Sequence, residues 1–155
     1  MKKFIFIILI GFLVQSCGFK VLEQANLEYF YIKEINTTGD KRINFDLKNN
    51  LIIKSGNRTN KPLIVSIYTT KKKSIKERNN KNVITKYLIK IDLEVKIESN
   101  DKLVKTLNLS DKRDFNVGTQ YLQTINNEKQ VSKDIVEELT EKIIKEISII
   151  KPSDL

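Results

Sequence analysis

Histidine and tryptophan are absent from this sequence, cysteine and methionine occur once each, and two prolines and five glycines are spread over 155 residues. Each shortage removes a class of chemistry. Without histidine there is no Ser-His-Asp triad, no Cys-His nucleophile pair and no histidine-containing zinc site. A single thiol, Cys17, forbids an intramolecular disulfide even in an oxidising compartment. No glycine-rich phosphate loop is present. Carboxylate chemistry survives this pruning, but no acidic pair stands apart from ordinary surface charge. Glu137, Glu138 and Glu141 fall on the polar side of a helical pattern, where solvation is the default. The chain is therefore expected to be no enzyme and to hold no cofactor or metal.

Lysine, isoleucine and asparagine are abundant instead, a usage common in AT-rich genomes. The formal net charge is +9. Such a balance permits attraction to anionic lipid or nucleic acid without choosing between them. The N-terminus narrows the choice. Lys2 and Lys3 precede an uncharged run from Phe4 to Val14, too short to span a bilayer but suited to a secretory h-region. The run ends Leu13-Val14-Gln15-Ser16-Cys17, which resembles a bacterial lipobox. A small Ser16 admits the peptidase, and the Cys17 thiolate is the nucleophile that accepts the lipid. Residues 1–16 are expected to be a lipoprotein signal peptide, cut between Ser16 and Cys17. Residues 17–26 are then a lipidated tether (diacylglycerol and palmitate class). Removing Lys2 and Lys3 takes the formal charge from +9 to +7. Export argues against an intracellular nucleic acid partner.

Residues 27–150 are expected to fold as one domain with a single core. Leu27 to Ile35 suits a first strand, broken by turn residues Asn36 to Asp40. Asp40 then caps a helix with Ile43, Leu47 and Leu51 on one face, and Gly56 lies past its end. Pro62 opens a second strand, Leu63 to Thr70, and the polar stretch from Lys71 to Asn82 reads as a loop. From Thr85 to Ile97 apolar residues alternate with polar ones, apart from a slip at Leu88. This is an antiparallel strand with one wet face. Ser99 to Lys102 is turn material, and Leu103 to Val117 reads as its partner. Val131, Ile135, Leu139, Ile143 and Ile147 then recur at spacing four, a helix ended by Pro152. A helix between strands one and two implies a parallel pair with a right-handed crossover. The expected fold is α+β, a two-layer sandwich. A four-stranded mixed sheet in β-α-β-β-β-α order carries both helices on one face.

Three segments carry a family resemblance. Cys17-Gly18-Phe19, Val83-Ile84-Thr85-Lys86-Tyr87, and Phe115-Asn116-Val117-Gly118-Thr119-Gln120-Tyr121 before a charged amphipathic helix together resemble the LPS-assembly lipoprotein LptE family. Gln15, Lys20, Val21 and the lysine-heavy stretch after strand two depart from the family pattern. The resemblance implies an outer-membrane lipoprotein that plugs the LptD β-barrel and assists lipopolysaccharide assembly. It also implies that the domain faces the periplasm or the barrel lumen. Gly18 after the cysteine, in place of a retention Asp, agrees with outer-membrane sorting. Lipopolysaccharide carries phosphates, for which Lys and Arg are the natural partners. Lys71, Lys72, Lys73, Lys76, Arg78 and Lys81 form the densest basic patch and are the expected contacts. A solvated hairpin tip explains the same charges. On the contact reading, reversing Lys71, Lys72 and Lys73 to Glu weakens binding and leaves the fold intact. Two alternatives stay open: a periplasmic lipoprotein for another anionic ligand, and a purely structural assembly factor.

Overall fold

The computed structural model describes residues 30–54 and 61–150. The described elements are β1 (Phe30–Gly39), α1 (Lys41–Ile53), β2 (Lys61–Arg78), β3 (Ile84–Ser99), β4 (Lys102–Asn116) and α2 (Tyr121–Ser148). The strands form one sheet in the order β1-β2-β3-β4. β1 and β2 run parallel, while β2, β3 and β4 form an antiparallel meander. This is the expected α+β architecture.

Period-two burial explains the layers. Leu63, Val65, Ile67 and Thr69 of β2 are buried, as are Ile89, Ile91, Leu93, Val95 and Ile97 of β3. The residues between them face away, because successive strand side chains point to opposite sides. Ile43, Leu47 and Leu51 of α1 and Ile135, Leu139, Ile143 and Ile147 of α2 join the same core cluster. Both helices therefore cover one face and leave the other open. Full burial of each such aliphatic side chain stabilises by about 2 kcal/mol before the entropy of ordering is counted. The β3–β4 turn is a two-residue hairpin, with Asn100 and Asp101 at φ of 50° and 60°, residue types that tolerate such values.

The first turn differs from expectation. β1 continues through Asn36, Thr37 and Thr38 to Gly39, each paired with β2 as far as Thr69, so tertiary pairing overrides turn composition. Gly39 has φ +100°, and a Cβ there would lie 2.0 Å from the Thr69 carbonyl oxygen; glycine alone fits. Asp40 then caps α1, its carboxylate accepting from the N–H of Arg42 and Ile43 at 3.0 and 3.1 Å. Residues 27–29, Gly56 and Pro152 lie outside the described residues.

The second correction concerns the basic stretch. Lys71 to Asn82 is no loop: β2 runs on to Arg78, and β3 pairs it from Lys71 opposite Ile91 to Arg78 opposite Ile84. Only the turn at its tip remains. There the Asn79 side chain accepts from the N–H of Lys81 and Val83 at 2.9 and 3.0 Å. An 18-residue strand extends roughly 60 Å at about 3.3 Å per residue. The 28 residues of α2 extend roughly 42 Å at 1.5 Å per residue.

Candidate functional site: the lysines of the long hairpin

Alternation along β2 sends consecutive lysines to opposite faces of the sheet. Lys71 and Lys73 point to the helix side, where both reach Glu128 of α2, at 2.9 and 2.6 Å. The Lys73 ammonium also lies 4.3 Å from the Tyr87 ring centroid and 5.5 Å from that of Phe115. Burial pushes the Glu128 carboxyl up, but the hydrogen bonds and charges of Lys73 and Lys71 outweigh it and hold the group below its ordinary value. Lys76 pairs with Asp114 at 2.9 Å, and the Arg78 guanidinium donates to the Asn82 carbonyl at 2.9 Å. The expected six-residue patch is therefore divided. Lys71 and Lys73 share the one carboxylate of Glu128 and Lys76 has Asp114, while Lys72 and Lys81 form no ion pair among the described residues. Reversing Lys71 and Lys73 would set three carboxylates together, so that substitution is not neutral for folding.

The sequence reading missed what surrounds Lys72. On the open face, Lys72 stands directly opposite Lys90 of β3, and Lys90 directly opposite Lys112 of β4. All three are exposed. Lys90 bonds Asp92 at 2.6 Å; that bond, with one from Ser110, holds the Asp92 carboxyl below its ordinary value. Lys90 and Lys112 read in sequence as ordinary outward positions of alternating strands. Only the register, which depends on two turns, reveals the row.

Two of the three segments that carried the family resemblance, residues 83–87 and 115–121, meet in space. Tyr87 stacks on Phe115 with centroids 5.7 Å apart, and the Val117 N–H donates to the Thr85 carbonyl at 2.9 Å. The Gly118 N–H donates to Thr124 Oγ1 at 2.9 Å and the Thr119 N–H to Gln123 Oε1 at 3.1 Å, which holds the junction between β4 and α2. These residues build the hairpin end. Ser16 and Cys17 lie outside the described residues. Among the described residues no helix is long and apolar enough to cross a membrane, and no group of His, Cys, Asp or Glu suits a metal ion.

No family model and no curated protein matches this chain. Solved structures do, several lipoproteins among them. Rare lipoprotein B of Shewanella oneidensis superposes with a TM-score of 0.55 at 9% identity, over 74% of this chain and 93% of that one. A minor lipoprotein of Acinetobacter baumannii gives 0.56 at 15% identity, over 78% and 92%. An uncharacterized lipoprotein B of Nitrosomonas europaea gives 0.54 at 17% identity, over 84% and 90%. At these identities the likeness is one of fold: the chain has the domain fold of these bacterial lipoproteins.

Proposed function

We propose that this protein is a non-enzymatic outer-membrane lipoprotein, anchored through lipid on Cys17, that plugs an LptD-type β-barrel and assists lipopolysaccharide assembly. The observation that carries the reading is the fold, which matches solved lipoproteins over about nine-tenths of their own length. Cys17 at the end of a short apolar run supplies the anchor. A surface of mixed sign, with ion pairs such as Lys96–Glu94, Lys105–Glu146 and Lys142–Glu138, suits the polar lumen of a large barrel.

Affinity purification of the full-length protein from detergent-solubilised outer membranes tests this. Recovery of a large barrel in equal amount is the expected result. Recovery of the protein alone, or from the inner membrane, would defeat it.

A further inference from the structure

Two of the open edges of this sheet carry charge. β4, at one side, has Lys102, Lys105, Asp111, Lys112, Arg113 and Asp114, and the distal half of β2 has its lysines. Charge on an edge discourages a further strand from pairing there. β1 is the edge at the other side, and from Ile35 to Gly39 it carries neither charge nor proline. No strand lies beyond it among the described residues. Backbone groups that point away from β2 along this stretch form an unguarded template for another chain.

A cleft of about 450 Å³ runs beside that edge, with residues 37–39 of β1 on one wall and Lys41, Asn44, Phe45 and Lys48 of α1 on the other. Spacings of three and four put these α1 residues on one side of the helix. Lys41 and Lys48 are exposed and form no ion pair among the described residues. The neighbouring acids do not line the cleft. Asp40 is turned into the helix N-terminus, where it accepts from the N–H of Arg42 and Ile43. Phe45 is 67% exposed, whereas Asn44 is only 8% exposed. Asn44 Oδ1 accepts from Thr69 Oγ1 at 2.8 Å, while its amide nitrogen donates to no group among the described residues. A buried donor left over beside a cleft suits a carbonyl from another chain.

We propose that β1 and α1 receive an extended acidic peptide segment of a partner protein, which adds to the β1 edge as a fifth strand. Main-chain bonds to Ile35 through Gly39 hold the segment, and every second side chain faces the helix wall. Lys41 and Lys48 lie about 10 Å apart along α1. Acidic residues four apart in an extended chain are separated by about 13 Å, a difference that flexible lysine stems span. The residue midway between them meets Phe45. The recognised pattern is therefore acidic, any, apolar, any, acidic. This site stands on strand order and side-chain pairing, and it holds whether or not the barrel reading does.

The test uses the full-length protein in detergent and a labelled, end-blocked peptide, Thr-Glu-Thr-Ile-Thr-Glu-Thr, read by fluorescence anisotropy. Saturable binding is expected, with slower hydrogen exchange of the amides between Ile35 and Gly39. Replacing both glutamates of the peptide by Gln is expected to weaken binding about tenfold, the loss of two charge-assisted contacts. Lys41→Gln with Lys48→Gln is expected to do the same. Lys102→Gln with Lys133→Gln removes equal charge from exposed positions of β4 and α2 and is expected to keep the affinity. Two further peptides are N-methylated, one at the Thr residues and one at the Glu and Ile residues. At least one of them is expected to lose binding, since alternate amides of an added strand face its neighbour. No saturable binding, or undiminished binding by the Lys41/Lys48 variant, the Gln peptide or both methylated peptides, overturns the proposal. So does unchanged exchange between Ile35 and Gly39. Equal affinity for N-acetylglutamate alone would make the cleft a small-anion site and overturn the added strand.

Discussion

Glu128 is the residue on which the helix side of the hairpin turns. Its side chain is 24% exposed and takes both Lys71 and Lys73, while Lys73 also leans over the stacked rings of Tyr87 and Phe115. Removing the carboxylate would leave two ammonium groups facing each other in a half-buried pocket, so the cost exceeds that of a surface pair. Glu128→Gln is expected to destabilise the fold by about 1 kcal/mol at neutral pH, a few degrees in thermal midpoint. The pH dependence has a definite sign. The folded carboxyl titrates below its unfolded value. Its stabilisation is therefore complete above the unfolded value and disappears as pH falls through the folded one. The gap between wild type and variant should close in acid, read from thermal melts across the acid range. A gap independent of pH would mean that the ion pairs are not its source.

At the scale of elements, the distal half of β2 explains the lysine run. β1 pairs with β2 only as far as Thr69. From Thr70 to Arg78 the strand has β3 on one side and is an edge on the other. Charged residues on an edge block pairing with a second chain, and Lys71, Lys72, Lys73 and Lys76 fall on this stretch. Hydrogen exchange gives a direct check. Amides of β2 facing β3 between residues 70 and 78 are expected to be protected, in alternation with fast-exchanging outward ones. Uniformly fast exchange would return the stretch to a loop. The helices, the β3 alternation and the element order were legible because their apolar spacing is intrinsic to the chain. Ile43, Leu47 and Leu51 mark α1 whatever lies beside it, and Val131 to Ile147 mark α2 likewise. The run of β1 through Asn36 to Gly39 and of β2 through Lys71 to Arg78 was not legible. Asn36, Gly39 and the lysines of these runs are weak strand formers, made regular by a partner distant in sequence. The basic patch was found as composition and misjudged as geometry, since adjacent lysines in a strand share no face.

For the whole molecule, the anchor and the fold can be tested separately. The core cluster of the described residues runs from Ile35 to Ile147, with Ile32 and Ile150 packed against it. β1 begins opposite Lys61 at the N-terminal end of β2, while the turn of residues 79–83 lies at the other end of the hairpin. If Cys17 carries the lipid, two measurements should move independently. The intact mass of the membrane-extracted protein is expected to match a chain starting at Cys17 plus added lipid. Cys17→Ser is expected to abolish both the added mass and the chain start at residue 17. Its thermal unfolding is expected to match that of wild type, because the substitution leaves the core cluster of the described residues untouched. An unmodified wild-type mass would remove the anchor, whereas a shifted midpoint would mean that the N-terminal segment packs on the domain.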